Sequence, residues 1–240
     1  MLELSKISHS SVYTEDWIIQ RLGKITASQF GKLIGDKSEV GIFTKTAITY
    51  IEGLAGEIVT GKRAQEEIFT NSMDYGNAME PECIDYFCEK LGMYPLRNVD
   101  ANDTHRLIIN DEHSGCTPDA LLSKYQDANK LFDETGTKLK VIPFEGKCPP
   151  VHHRFIKLYK CVTPIQLKHT EPIYFWQVIT QMSFCGSIIG YFGAYNPLFP
   201  NGRLIEFRQA ELMDEFKKFN GTLLHAKIEL EKTVKLLNNI

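Results

Sequence analysis

The expected fold and site depend on two short stretches, Gly115-Cys116-Thr117-Pro118-Asp119-Ala120 and Phe144-Glu145-Gly146-Lys147-Cys148-Pro149. In the first stretch an Asp begins an apolar strand, and in the second a Glu and a Lys end another strand. Side chains two residues apart on a strand share a face, so Glu145 and Lys147 point the same way. We expect Asp119 to join them from the neighbouring strand.

This set of residues suits a hard metal ion. Mg²⁺ takes oxygen ligands, often one or two carboxylates, and phosphodiester cleavage uses such an ion to activate a water. The Gly146 carbonyl is a further candidate ligand, and Lys147 could orient the water or offset charge in the transition state. A Glu-x-Lys strand end alone is usually a solvated salt bridge. The apolar surroundings favour a site, because a buried carboxylate needs a partner or a metal.

The flanking sequence predicts an α/β fold, with a central mixed β-sheet flanked by helices. Helices are predicted over residues 14–21, from 26, and over 44–59, 75–91, 151–160, 172–185 and 211–237, the last with a candidate break at Asn220-Gly221. Strands are predicted over residues 93–99, 106–109, 115–122, 141–144, 187–195 and 203–209, with an inserted loop over 126–136. A length of 240 residues fits one domain, 1–240, with a helical part (1–92), a sheet core (93–209) and a C-terminal helix (210–240).

The charge distribution is uneven although the net charge is only −3. Residues 64–89 contain seven acidic side chains and no Lys or Arg, whereas residues 138–168 contain seven basic side chains and one acid, Glu145. The two segments could be solvated faces that pair with each other. Alternatively, the basic segment binds a polyanion around one functional carboxylate.

Other features exclude several classes of protein. No apolar run approaches the ~18 residues of a membrane helix, and the N-terminus lacks the plan of a signal peptide, so we expect a cytoplasmic protein without a membrane partner. The six cysteines contain no CxxC pair, which argues against a zinc or iron–sulfur site and favours reduced thiols.

Four further segments, taken with Thr117-Pro118-Asp119, show a resemblance to a known family. They are Arg21-Leu22-Gly23-Lys24-Ile25-Thr26-Ala27-Ser28, Gly76-Asn77-Ala78-Met79-Glu80-Pro81, Glu145-Gly146-Lys147-Cys148-Pro149 and Tyr174-Phe175-Trp176-Gln177-Val178-Ile179-Thr180-Gln181-Met182. In this order they resemble the motifs of the lambda-type phage recombination exonucleases, the YqaJ-like viral recombinases of the PD-(D/E)XK nuclease superfamily. The chain departs from the family in its long Asp119-to-Glu145 spacing and in Ala120, where relatives often have Gly.

The resemblance implies a role for each matching residue. Asp119, Glu145, the Gly146 carbonyl and Glu80 would hold the metal. Lys147 and Gln177 would complete the catalytic set. Residues Arg21, Ser28 and Thr117 would bind a terminal 5′-phosphate, for which an Arg fork and hydroxyls are suited. A helix that begins at Thr26 to Ser28 would add free N–H groups to that pocket.

The resemblance also implies the activity. The protein would be a 5′→3′ exonuclease that uses Mg²⁺, with Mn²⁺ as a substitute and two ions in the site. Its substrate would be linear double-stranded DNA with a 5′-phosphate end. The products would be 5′-mononucleotides and a 3′ single strand for a partner annealing protein. Relatives act as homotrimeric rings, so the basic segment, with Arg154, Lys157 and Lys160, would line a DNA channel.

Two alternatives remain open from the sequence. A restriction-like or structure-specific endonuclease shares the same core, but it would cut covalently closed circles. A catalytically silent DNA-binding scaffold would bind DNA without releasing nucleotides.

Overall fold

The architecture is a mixed α/β arrangement of two sheets and surrounding helices. The computed structural model describes residues 19–35, 41–64, 70–96, 107–124 and 141–238. Its strands are β1 (Ile25–Thr26), β2 (Tyr94–Leu96), β3 (Ile108–Asp111), β4 (Ser114–Cys116), β5 (Ala120–Ser123), β6 (Ile142–Lys147), β7 (Ile189–Ala194) and β8 (Arg203–Arg208). Its α-helices are α1 (Ala27–Phe30), α2 (Lys45–Thr60), α3 (Asn71–Leu91), α4 (His152–Tyr159), α5 (Pro164–Thr170), α6 (Pro172–Cys185) and α7 (Met213–Asn238), and short 3₁₀ turns span Gly31–Leu33 and Gln209–Glu211.

A five-stranded sheet in the order β2-β5-β6-β7-β8 carries most of the core. Neighbouring strands in this sheet are antiparallel, except that β6 and β7 run parallel to each other, with Glu145 paired beside Phe192. The connection between these parallel strands consists of helices α4, α5 and α6, as a parallel pair requires. A separate three-stranded sheet, β1-β4-β3, lies earlier in the chain.

The two faces of the large sheet pack against different helices. Alternate residues along a strand face opposite sides. Leu121 and Phe192 therefore belong to a large core with α6 and α7, whereas Leu122 and Tyr191 belong to a smaller core with α3. The sheet is thus covered on both sides, and its α6 side is the side that Glu145 faces.

Local sequence determines where the helices begin and end. The hydroxyls of Thr44, Thr70 and Thr163 cap the starts of α2, α3 and α5 by accepting a backbone N–H two or three residues into each helix. Gly61, Gly92 and Gly186 end α2, α3 and α6 in the left-handed conformation that glycine adopts most readily.

The structure confirms the predicted fold class and corrects several details. The predicted strand over residues 115–122 is two strands, β4 and β5, in different sheets, because Thr117-Pro118-Asp119 breaks the pairing and proline has no N–H to donate. Helix α5 was not predicted, although Thr163 and Gln166 form a capping box and Pro164 begins the helix. Helix α7 runs through the predicted break at Asn220-Gly221 without interruption.

Some sequence predictions fall where the structure is not described. The predicted helix over 14–21 is described only from residue 19 onward, and the predicted loop over 126–136 lies outside the described residues. Among the helices that are described, none is long and apolar enough to cross a membrane.

Candidate functional site

The centre of the site is the carboxyl end of β6. Glu145 is buried, with 1% of its surface exposed, and its Oε1 accepts a bond from the Lys147 ammonium. The pleat places both side chains on the α6 face, as the sequence predicted, and Lys147 Nζ lies 5.4 Å from the centre of the Tyr174 ring on α6. Although burial acts in the opposite direction, Glu145 and Asp119 raise the pKa of Lys147, so this amine stays charged.

Asp119 reaches the same strand end from the neighbouring strand. Ala120 pairs with Phe144 in the antiparallel register of β5 and β6, which brings the preceding Asp119 beside Glu145 and Gly146. Its Oδ2 accepts a hydrogen bond of 2.7 Å from the Gly146 N–H. Burial raises the pKa of Asp119, while Lys147 and the Gly146 N–H act against this shift.

Gly146 allows the backbone to pack closely at this point. A Cβ on Gly146 would lie 2.9 Å from Cys83 Sγ on α3 and 3.2 Å from Phe144 Cε1. The absence of a side chain therefore lets α3, which carries Glu80, approach the strand end that carries Glu145.

Glu80 completes a cluster of three carboxyl groups. Burial, followed by the negative charges of Asp119 and Glu145, raises the pKa of Glu80 to about 9. The pKa of Glu145 rises to about 7, mainly through burial and then through Asp119, against the effect of Lys147. Burial is thus the main cause of the raised pKa values, and the negative charge of neighbouring carboxyl groups adds to it for Glu80 and Glu145.

Two amides of α6 hold the Glu145 carboxylate from the other side. Gln177 Nε2 donates to Oε1 and Gln181 Nε2 donates to Oε2, each at 2.6 Å. The two residues are one turn apart, so they share a helix face. The sequence predicted Gln177 in the site and indicated that both amides of this apolar helix need buried partners, but it gave Gln181 no role of its own.

The donor chemistry of this cluster fits a divalent cation. All the candidate side-chain ligands are carboxylate oxygens, the class that Mg²⁺ and Mn²⁺ prefer, and their excess negative charge is what a cation would offset. As the side chains stand, no group of three or more His, Cys, Asp or Glu residues within the described ranges is arranged to hold an ion. The ligand set of Asp119, Glu145, Glu80 and the Gly146 carbonyl therefore stays a prediction.

A second polar group joins the start of the described chain to the same site. The Arg21 guanidinium donates to Thr117 Oγ1 at 3.0 Å and to Ser28 Oγ at 3.3 Å. Thr117 is two residues before Asp119, so the connector between β4 and β5 contributes to both groups. Gly23, with φ 67°, turns the chain between Arg21 and Ser28 in a conformation that suits glycine.

The structure places a short helix beside this pocket. Helix α1, which begins after Thr26, is only four residues long, and Thr26 makes no side-chain capping bond. A helix does start after Thr26, as predicted, but a single turn has little summed dipole, so the dipole contribution is small. The contribution of free N–H groups to the pocket stays a prediction. Arg21, Ser28 and Thr117 themselves are brought together.

The predicted DNA-binding residues Arg154, Lys157 and Lys160 lie exposed on or next to α4. Lys157 and Lys160 line a groove of about 500 Å³ with His153 and residues of α5, and Lys157 also pairs with Glu171 at 2.8 Å. Lys168, at the end of the basic segment, pairs instead with Glu215 of α7 at 3.2 Å. Part of the basic charge is thus neutralised within the chain.

With the fold and the site described, the chain can be compared with known proteins. The model of the YqaJ-like viral recombinase domain matches residues 16–187, which is most of the chain. The protein belongs to this family. A comparison with curated protein sequences gave no match.

Solved structures show the same fold. An alkaline exonuclease, LHK-Exo, from Laribacter hongkongensis is 22% identical with a TM-score of 0.61, over 94% of this chain and 99% of that chain. A second structure of LHK-Exo, in complex with dAMP, matches equally well. A phage-related exonuclease from Haemophilus somnus 129PT is 17% identical with a TM-score of 0.62, over 89% of this chain and 96% of that chain.

Proposed function

We propose that this protein is a Mg²⁺-dependent 5′→3′ exonuclease that degrades one strand of linear double-stranded DNA. It releases 5′-mononucleotides and leaves a 3′ single strand for recombination by strand annealing. The observation that carries the proposal is the cluster of Asp119, Glu145 and Lys147 at one strand end, with Glu80 beside it. Membership of the YqaJ-like family and the two exonuclease relatives support it.

Asp119, Glu145, Glu80 and the Gly146 carbonyl would hold Mg²⁺ or Mn²⁺, with two ions as the family pattern implies. When bound, such an ion polarises a phosphoryl oxygen and lowers the pKa of an attacking water. Lys147 stays protonated, so it offsets negative charge at the scissile phosphate rather than removing a proton. Gln177 donates to Glu145 Oε1, so this oxygen keeps a hydrogen-bond partner when Lys147 turns toward the substrate.

Arg21, Ser28 and Thr117 would bind the 5′-phosphate of the DNA end. The two hydroxyls accept two of the five N–H donors of the guanidinium, and a phosphate would offer the same group a stronger, doubly charge-assisted acceptor. Because Thr117 and Asp119 share one connector, a phosphate held by Thr117 places the DNA end close to the carboxylates. This arrangement supports attack from a 5′ end.

Exposed Arg154, Lys157 and Lys160 would contact the DNA backbone, in a homotrimer whose channel surrounds the duplex. A single-strand annealing protein would take up the 3′ strand. The enzyme would act in the cytoplasm of a bacterial host, where its substrate is found. The LHK-Exo complex with dAMP, a deoxynucleoside monophosphate, supports mononucleotides as products.

One assay tests the proposal. Purified protein is incubated with linear duplexes that carry 5′-phosphate or 5′-hydroxyl ends, with Mg²⁺ or with EDTA, and released nucleotides are quantified. We expect mononucleotides only with Mg²⁺, faster from phosphorylated ends, and none with Glu145→Ala or Lys147→Ala. A wild-type protein that releases no nucleotide, or that cuts covalently closed circles, would refute the proposal. Arg21→Ala is expected to remove the phosphate preference.

A further inference from the structure

Gln181 has an arrangement that packing alone does not explain. Its side chain is wholly buried, and its Nε2 donates to Glu145 Oε2 at 2.6 Å. Its Oε1 has no hydrogen-bond partner among the described residues. A buried acceptor without a donor is destabilising, so Gln181 satisfies Glu145 Oε2 at a cost to its own packing. Rules of packing are broken in this way mainly at functional sites.

Gln181 occupies one of the acceptor positions of the Glu145 carboxylate. An ionised carboxylate offers about two acceptor positions on each oxygen. Lys147 and Gln177 both bind Oε1, and Gln181 takes one position on Oε2. Because Glu145 is only 1% exposed, bulk water does not compete for the position that remains on Oε2.

The two amides also fix the rotation of the carboxylate. The terminal torsion of Glu is broad, so a carboxylate held at one oxygen alone can rotate. Gln177 and Gln181 lie one turn apart on α6 and hold one oxygen each. Removal of the Gln181 contact would free Oε2 while leaving Oε1 bound.

We propose that Gln181 is a positioning residue that aims the remaining lone pair of Glu145 Oε2 at a divalent cation. This inference rests on the proposed metal-dependent function, and it assigns Gln181 no contact with the cation or the substrate.

The test compares cation binding with stability. Gln181→Met keeps the volume without the amide, and Gln181→Asn keeps an amide that is one methylene too short to reach Oε2. Thr180→Val is the matched control, because Thr180 is equally buried and, among the described residues, its hydroxyl donates to the Trp176 carbonyl of its own helix and not to the site. Binding of Mg²⁺ and of Mn²⁺ is measured by calorimetry without DNA, and melting is followed in EDTA.

We expect both Gln181 variants to bind the cations about 10- to 100-fold more weakly, as is usual when a partner of a metal ligand is lost. Gln181→Met removes a donor from a buried carboxylate, so we expect its Tm in EDTA to fall modestly together with its cation affinity. We also expect nucleotide release to need more Mg²⁺, and Thr180→Val to bind the cations as the wild type does. If Gln181→Met does not fold, Gln181→Asn carries the same comparison.

The outcomes separate this inference from the proposed function. A wild-type protein that binds Mg²⁺ and releases nucleotides, beside Gln181 variants with wild-type cation affinity, overturns the positioning role alone. The positioning role is also overturned if the Gln181 variants melt at a lower temperature in EDTA but keep the wild-type affinity for the cations. If the wild type neither binds a cation nor releases nucleotides, the proposed function and this inference fail together.

Discussion

Replacement of Glu80 by Gln is expected to stabilise the metal-free protein at pH 8. Burial and the charges of Asp119 and Glu145 raise the pKa of Glu80 to about 9, from an ordinary value of 4.5. Between these values the folded protein retains a proton that the unfolded chain has released. Stability then falls as the pH rises through this window, because the folded state is the one that binds more protons. The neutral amide removes this dependence.

The size of the effect follows from the same shift. At about 1.4 kcal/mol per pH unit, the interval from pH 4.5 to pH 8 sets an upper limit of about 5 kcal/mol. Glu80 is only partly buried, and its titration is coupled to that of Asp119 and Glu145, so we expect about 2 to 3 kcal/mol. For a protein of this size the Tm would rise by roughly 5–10 °C.

Thermal melts in EDTA at pH 5 and pH 8 measure this difference. The gain should be small at pH 5 and large at pH 8, and Mg²⁺ should raise the Tm of the wild type more than that of Glu80→Gln. Glu89→Gln, on the exposed side of the same helix, is the control and should leave the Tm unchanged. The reasoning is refuted if Glu80→Gln melts at or below the wild-type temperature at pH 8 in EDTA.

Three further perturbations test other parts of the molecule. Lys147→Met should abolish nucleotide release and destabilise the metal-free protein by about 3 kcal/mol, because a carboxylate that is 1% exposed loses its cation; equal urea midpoints for the two proteins would contradict this. Gly146→Ala should lower the free energy of unfolding by about 1–3 kcal/mol, because the new Cβ would lie 2.9 Å from Cys83 Sγ. Adding Cys83→Ala to the same chain should recover part of this loss in urea denaturation. Lys227→Ala should lower the free energy of unfolding by about 1 kcal/mol at pH 7, because Lys227 pairs with Asp111 and contributes to lowering the pKa of that carboxyl. The Lys227→Ala difference should disappear as the pH falls through the lowered pKa of Asp111, because the carboxyl group is then protonated in both the folded and the unfolded chain. A difference that persists in acid would argue against the ion pair.

Local chemistry in the sequence was sufficient for much of the fold. The shared face of Glu145 and Lys147 follows from the two-residue repeat of any strand, and the glycines after α3 and α6 mark the helix ends. Helical periodicity that starts at Leu212 and Phe216 predicts an inward apolar stripe on the C-terminal helix. The stripe is buried as far as Leu230, whereas Leu237 at its end is 39% exposed. In the 44–59 helix the same periodicity predicts one inward stripe of Ile48, Ile51, Ala55 and Ile58. Ile51 and Ala55 are buried, but Ile48 and Ile58 are exposed and Leu54 is buried instead, so this prediction is half correct.

Long-range contacts were decided only by the tertiary structure. Periodicity identifies an apolar face without naming its partner, so it could not place β4 and β5 in separate sheets or show that Lys168 pairs with Glu215. The sequence by itself determined which side chains could do the chemistry. The packing of α3, β5 and α6 around β6 determined that Glu80, Asp119 and Gln181 converge on one buried carboxylate, because convergence depends on contacts between residues far apart in the chain.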